Sequence, residues 1–536
     1  AILPELLLPA GRRAAATAWT SLAGLAIAFV VVVAMGPSDL LALHVVDGDT
    51  HVTGWRADSF SVFCRALTAI GGVFLVLLSI PYTRRMDRGH GEFYALLLFA
   101  LLGVMLVAGV SDMLSLFVCL ELVTIMAYIL AAIRRNDTRS TEAGLKYLVV
   151  GAVSTAILLL GIGLIYGGVG SLSFDALARV VALGDPPAIL VMGIAFVLIG
   201  LFFKVGGVPF HVWIPDVYQG APSPVTAFLI TASKFAGVIL LLRFGEAALV
   251  PALQAVDPFA WVILLGTVSV ITLLFGVLGA IPQRSIKRLL AYSSIGHAGY
   301  IIMAIAAMAS AGGSGDNKST SALLYYLMAY FATSITAFAV IITVSAAAKS
   351  HGHEAYTGLA RRSPFLAVAM ALSLFSLAGV PPMAGFFGKF LILQAVVDKG
   401  LFVLAFIGAG AVIVSLYFYM LWIKEMYIRK PAEGVTYPAI PVPGVTRFVL
   451  WVGMLAMLAL GVWMGPFYEW AHEDFELDEL CRGGGLLMNE SIRNSQGRTF
   501  AWVARNLQVE GDLTRERGGF LLGISSDHVG PRDTLG

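Results

Sequence analysis

Apolar runs long enough to cross a lipid bilayer recur along almost the whole chain, and no other feature so narrows what it can fold into. A spanning helix needs about 20 apolar residues to traverse roughly 30 Å of hydrocarbon. Thirteen runs meet that need, near residues 14–36, 59–81, 93–110, 113–133, 144–167, 187–207, 223–243, 259–281, 287–309, 320–346, 364–390, 401–427 and 446–467. Of the 536 residues 58% are hydrophobic and 13% charged, and the mean hydropathy is +0.86. The expected fold class is therefore an all-α polytopic membrane protein. A further stretch at the start, "AILPELLLPAG", is too short to span; the chain opens on Ala rather than Met, and the stretch reads as a truncated first helix.

The placement of charge says more than the net value of +2, because Lys and Arg in short loops stay on the cytoplasmic side. One alternating set of loops holds Arg12, Arg13, Arg84, Arg85, Arg88, Arg134, Arg135, Arg139, Arg284, Lys287, Arg288, Lys349, Arg361, Arg362, Arg429 and Lys430; the other holds Arg56, Arg179, Lys318 and Lys399. Sixteen against four supports both the span count and an orientation with the larger set in the cytoplasm. No basic run suggests nucleic acid. Cys64, Cys119 and Cys481 stand far apart, without the spacing of a zinc or iron–sulfur site. The chain also carries no GxGxxG after a strand and no phosphate-binding loop, so no cofactor or metal is expected on it and any redox centre belongs to another chain. The tail, 471–536, is rich in glycine and charge, has no spanning run, and reads as a soluble, disordered extension.

Two segments echo each other. "KVGGVPFH" at 204–211 and "LAGVPPMAGFFGKF" at 377–390 each break a good helix with Gly-Val-Pro beside a lysine, Lys204 before one break and Lys389 after the other. Matched broken spans in two halves are the mark of inverted repeats, where open carbonyls serve a site near the midplane. The expected organisation is N-terminal helices over 1–92, a first five-helix repeat over 93–243, an inverted second one over 259–427, a last span at 446–467 and the tail; each repeat has its fourth helix broken. Gly and Pro are also common in transmembrane helices generally.

Charge inside a span costs about 2.5–3.5 kcal/mol on insertion scales, so each instance calls for a reason. Glu121 stands mid-span in "LFVCLELVTIMAY", Lys234 in "TAFLITASKFAGVILLL", and Lys204 and Lys389 flank the breaks. Desolvation disfavours the charged form of an ionisable group, which suits a proton relay running Glu121, Lys204, Lys234, Lys389. His211 and His297 offer bridging groups, since imidazole titrates near neutral pH. The bland readings are a static Glu121–Lys204 ion pair, a loop position for His211, a packing hydrogen bond for His297 and an interface lysine at Lys146. Tyr417, Tyr419 and Trp422 read as an interfacial aromatic cluster, and Asp216 as a cap for the following helix.

The strings "FHVWIPDVYQGAPSPVTAFL", "KRLLAYSSIGHAGY", "YYLMAYFATSITAFAVI" and "SLAGVPPMAGFFGKFLI" resemble the antiporter-like membrane subunits of respiratory complex I. The likeness covers about residues 14–467, and "PDVYQGAPSPVTAF" points to the subunit N family, whose mitochondrial counterpart is NADH dehydrogenase subunit 2. The resemblance implies a proton-translocating subunit of an NADH–quinone oxidoreductase in the bacterial inner membrane. It carries the family's glutamate onto Glu121 and its lysines onto Lys146, Lys204, Lys234 and Lys389. It also implies other membrane-arm subunits and the lipid bilayer as partners, with flavin, iron–sulfur clusters and quinone on other chains. Two rival readings remain: a subunit of a multi-chain sodium/proton antiporter, which shares the fold and the buried charges, and a scaffold within the redox complex with no pumping route of its own.

Overall fold

The computed structural model describes residues 2–8, 10–37, 44–47, 50–53, 55–86, 89–182, 186–245, 258–310, 317–429 and 439–469. Almost all of its regular structure is helical, as a bilayer demands: with no water to bond, backbone N–H and C=O groups must pair within their own segment. A short helix α1 (Ile2–Leu7) precedes α2 (Ala10–Met35), and an antiparallel hairpin of β1 (His44–Asp47) and β2 (Thr50–Thr53), absent from the sequence reading, leads to α3 (Ser59–Thr83). There follow α4 (His90–Val107), α5 (Met113–Ala131), α6 (Thr138–Val169), the short α7 (Phe174–Ala182), α8 (Ala188–Val205), α9 (Trp213–Gly220) and α10 (Ser223–Phe244). The second half comprises α11 (Pro258–Ala280), α12 (Ile286–Ala309), α13 (Asn317–Ala348), α14 (Pro364–Ala378), α15 (Ala384–Asp398), α16 (Phe402–Tyr427) and α17 (Gly444–Val462).

Among the described residues, 12 helices are long and apolar enough to cross a membrane. The expected run at 364–390 is two shorter helices, α14 and α15, the second reaching Asp398. The run at 187–207 ends at Val205 and resumes as α9. The tail assigned to 471–536 lies outside the described residues.

Both breaks have the same construction. Gly206 at φ +90° and Gly379 at φ +85° take the left-handed conformation that only glycine enters cheaply. In each case the residue after the glycine bonds back five positions, Gly207 N to Phe202 O at 2.8 Å and Val380 N to Phe375 O at 3.0 Å, which closes the helix end. A third irregularity is a π-helical turn, Leu229–Ser233, inside α10 and immediately before Lys234.

Helices α10, α12 and α13 are buried along almost their whole length, whereas α2, α6 and α11 bare apolar side chains such as Trp19, Leu145, Val153 and Ile263 to the outside. Lipid gives no hydrophobic drive between helices, so close packing must hold them, and small residues permit it. At the α6–α8 crossing a Cβ on Gly161 would lie 2.7 Å from Val197 N, and one on Gly193 2.9 Å from Ile165 N. Gly161→Val is therefore expected to overpack this crossing at a cost of about 1–3 kcal/mol, read as a lower thermal transition of the detergent-solubilised protein. An unchanged transition would mean that α6 and α8 do not approach this closely.

Candidate functional site

Of the charges expected inside spans, Lys204, Lys234 and Lys389 are buried beside helix irregularities, whereas Glu121 is half-buried midway along the regular α5. Lys204, in the last turn of α8 ahead of the first break, is 3% exposed. Its Nζ donates to Thr124 Oγ1 on α5 at 3.0 Å. Gly237 on α10 makes room for its stem, since a Cβ there would sit 3.0 Å from Lys204 Cβ and Cγ. Glu121, one turn before Thr124 and half-buried, accepts from Thr155 Oγ1 on α6 at 2.8 Å. Glu121 and Lys204 thus form no direct ion pair. Each ends on a threonine hydroxyl, Glu121 on Thr155 of α6 and Lys204 on Thr124 of α5.

Lys234, 2% exposed, emerges from the π-helical turn of α10. Its ammonium donates to the main-chain O of Ser294 on α12 at 2.6 Å and to Ser294 Oγ at 2.5 Å, and lies 5.6 Å from the ring centre of Tyr330 on α13. His297, one turn beyond Ser294, bonds through Nδ1 to the Tyr326 hydroxyl and packs 4.7 Å from the Tyr330 ring. Lys389, 4% exposed, reaches back from α15 to the last carbonyls of α14, Leu377 O at 2.7 Å and Ala378 O at 3.2 Å. These belong to the negative end of a half-helix, which favours a cation. The ring centre of Tyr300 is 5.3 Å from its Nζ. Lys389 and His297 line one small gap together with Ser293, Tyr300, Ser415 and Tyr419, with room for about one water molecule.

The supporting residues divide. His297 joins the interior cluster. His211 is buried just after the first break, its ring centre 4.1 Å from that of Phe275 on α11. Lys146 lies at the edge of the protein, its side chain 44% exposed and paired with Glu142 and Asp216, each at 2.8 Å. Asp216 does not cap α10, whose cap residue Pro222 receives no side-chain bond; two cations, Lys146 and Arg288, claim its carboxylate instead. Of the expected interfacial aromatics only Tyr417 is exposed. Tyr419 and Trp422 are buried, Tyr419 bonded to Ser293 and Trp422 stacked on His353 at 4.2 Å. Among the described residues no cluster of His, Cys, Asp or Glu is fit to hold a metal ion.

Several residues of the cluster escaped the sequence reading. Ser294 takes Lys234, Thr124 takes Lys204, and Tyr326 and Tyr330 flank His297. Lys287, counted among the loop charges, is 1% exposed at the start of α12. The helical spacing of "KRLLAYSSIGH" held the signal, since positions seven apart share a face and Lys287 and Ser294 are so related.

Residues 110–415 match a family model described as NADH:quinone oxidoreductase/Mrp antiporter, transmembrane. The chain is 41% identical over 405 residues to NADH-quinone oxidoreductase subunit N of Rhodospirillum rubrum, an alignment covering 75% of this chain and 80% of that protein. It also resembles a chain of respiratory complex I from Thermus thermophilus with bound aureothin, at 31% identity and a TM-score of 0.69, over 87% of this chain and 96% of that one. A chain of the Mrp complex from Dietzia sp. shares the fold at 20% identity, with a TM-score of 0.75 over 88% of this chain and 94% of that one.

The Asp216 cluster yields a pH prediction. Burial opposes ionisation of this carboxyl, but the hydrogen bonds and charges of Lys146 and Arg288 outweigh it and hold the group below its ordinary value. A depressed carboxyl stabilises the fold fully at neutral pH, and that contribution is lost as pH falls below about 4. Asp216→Asn should therefore lower the thermal transition at pH 7 and flatten its decline on the acid side; identical pH profiles for variant and wild type would refute the pairing.

Proposed function

This chain belongs to the NADH:quinone oxidoreductase/Mrp antiporter transmembrane family, within it to the subunit N branch of NADH-quinone oxidoreductases, and on that premise we propose that its buried glutamate and lysines form a proton relay in the membrane arm. The observation that carries the proposal is the manner in which the three lysines are held. Lys204, Lys234 and Lys389 are bonded to hydroxyls and carbonyls, and none to a carboxylate. A hydroxyl can accept from an ammonium or donate to a neutral amine. The site can therefore hold either protonation state without leaving an uncompensated counter-ion, which is the costly outcome when a buried ion pair loses one partner.

The relay runs from Glu121, held by Thr155, and Lys204, held by Thr124, to Lys234 on Ser294, on through His297 and its tyrosines, and by the small gap to Lys389. A change of charge or shape in a neighbouring membrane subunit shifts the balance between Glu121 and Lys204. Each lysine that gains a proton disfavours a charge on the next, so one proton loaded drives another onward, and the proton leaves by way of Lys389. Lys146 and His211 serve as supporting groups at the two margins. The inverted repeats, 93–243 and 259–427, accord with two breaks of identical backbone pattern. Electrons, flavin, iron–sulfur clusters and quinone belong to other subunits, and the basic loops face the cytoplasm. A sodium/proton exchange reading draws on the family model the two groups share and on a fold likeness at 20% identity, against 41% identity to a subunit N.

Two measurements test this. The affinity-purified chain, taken from mildly solubilised membranes, should bring with it flavin and iron–sulfur proteins and NADH–quinone reductase activity; co-elution of membrane subunits alone, with cation/proton exchange, would select the antiporter reading. In the assembled complex, Lys234→Met should lower NADH-driven proton uptake several-fold relative to NADH oxidised. Unaltered uptake with intact assembly would make the chain a scaffold.

A further inference from the structure

Lys287 has the burial of a relay lysine and the position of an entrance. Its Nζ donates to Ala221 O at 2.5 Å and Gln219 O at 3.2 Å, at the end of α9. From the next position Arg288 reaches outward to Asp216 Oδ1 at 2.9 Å and to Gln219 Oε1 at 3.0 Å. Arg288, Asp216 and Gln219 line an open groove with Arg139, Glu142 and Lys146, on the side where the basic loops gather. Gln219 therefore has its side chain in the groove and its carbonyl on Lys287.

On the inward side, Tyr218 is buried next to Gln219 and interacts with Ser294, two turns beyond Lys287 on α12 and the residue that holds Lys234. Arg134 and Asp137 from the α5–α6 connection and His351 from the α13–α14 connection lie around Lys287 on its outer side. Among the described residues no carboxylate forms an ion pair with it, and its two acceptors are neutral carbonyls.

We propose that Lys287 is the first internal proton-holding residue between this groove and Lys234. A hydronium ion reaching the groove from bulk water gives its proton to the neutral amine, forming the ammonium and leaving water. The ammonium then releases a proton inward through the hydroxyls of Tyr218 and Ser294, each of which accepts one proton as it gives up another, and the amine is restored. The net change is one positive charge moved from the groove to the neutral amine of Lys234, with each hydroxyl restored by the proton it accepts. The inference rests on the relay reading of Lys234.

The competing role is a cap: a lysine at the C-terminal end of α9 satisfies carbonyls and favours the helix dipole without ever losing its proton. Arginine separates the two, because it keeps the charge and several N–H donors but does not deprotonate in a protein. The intact complex is reconstituted into vesicles, and proton uptake is measured against NADH oxidised for Lys287→Arg, Lys287→Met and, as reference, Lys234→Met. Transfer through Lys287 predicts a several-fold loss of uptake per NADH in both Lys287 variants. Wild-type uptake in Lys287→Arg overturns the proposal, whether or not Lys287→Met is impaired. Should either variant fail to assemble, Tyr218→Phe removes only the inward hydroxyl and leaves the carbonyl acceptors in place: reduced uptake supports the route, and wild-type uptake overturns it. Normal uptake in Lys234→Met defeats the relay reading itself, whereas an impaired Lys234→Met beside a normal Lys287→Arg defeats this inference alone.

Discussion

An ammonium group cannot be left in hydrocarbon without acceptors, and the interior of this protein is arranged around supplying them where no carboxylate is at hand. A regular helix has few to offer, because its carbonyls are already engaged. Three interior lysines, Lys204, Lys234 and Lys389, stand at departures from regularity, and Lys389 takes its acceptors from one. Lys204 sits at a glycine-capped helix end, Lys234 follows a π-helical turn, and Lys389 takes the last two carbonyls of α14. Such backbone is tolerated at membrane depth only inside protein. Helices α10 and α12, which carry and receive Lys234, and α13, which sets Tyr330 beside it, are the most enclosed of the described spans, whereas α2, α6 and α11 are among the least enclosed.

The treatment of arginine makes the contrast plain. Arg243, at the end of α10, is as buried as the lysines, yet it is paired with Asp58 at 2.5 Å, bonded twice to Ala108 O and laid over the ring of Phe60. Arg288 and Arg429 likewise end on carboxylates, Asp216 and Glu425. These three arginines have counter-ions and the interior lysines have neutral partners, although buried Arg65 ends on the carbonyls of Met105 and Arg56 and the more exposed Lys146 on two carboxylates. Under the proposed relay, that contrast sets charges that tie helices together apart from charges that move a proton.

Sequence made the spans legible because bilayer thickness sets a length that only long apolar runs satisfy, and it made the breaks legible because Gly-Val-Pro inside such a run has few other meanings. It placed Glu121, Lys204, Lys234 and Lys389 in spans by simple position. What it missed depends on partners far along the chain. Nothing local to Asp216 announces that Lys146, 70 residues away, takes its carboxylate, and nothing around Tyr419 tells an interfacial ring from an interior one. Lys287 was read as a loop charge because it opens its helix, and burial at a helix start depends on what packs there, here the end of α9. The hairpin at 44–53 was passed over because two strands of four residues leave only a faint period beside runs of twenty.

The two breaks share a backbone pattern but hold their lysines differently, and this bears on direction. Lys204 belongs to the half-helix that ends at its break and reaches away from it, to a single hydroxyl on α5. Lys389 belongs to the half-helix that begins after its break and reaches back to two carbonyls at the negative end of α14. Two aligned carbonyls backed by a helix dipole offer an ammonium more than one freely rotating hydroxyl does. In the proposed relay, a proton arriving at the first half would therefore meet a responsive site near Glu121, and one that crosses to the second half a firmer one. An intrinsic bias of this kind lets a modest electrostatic push at Glu121 be felt along the whole row, because the charge moves toward the better acceptor set rather than against it.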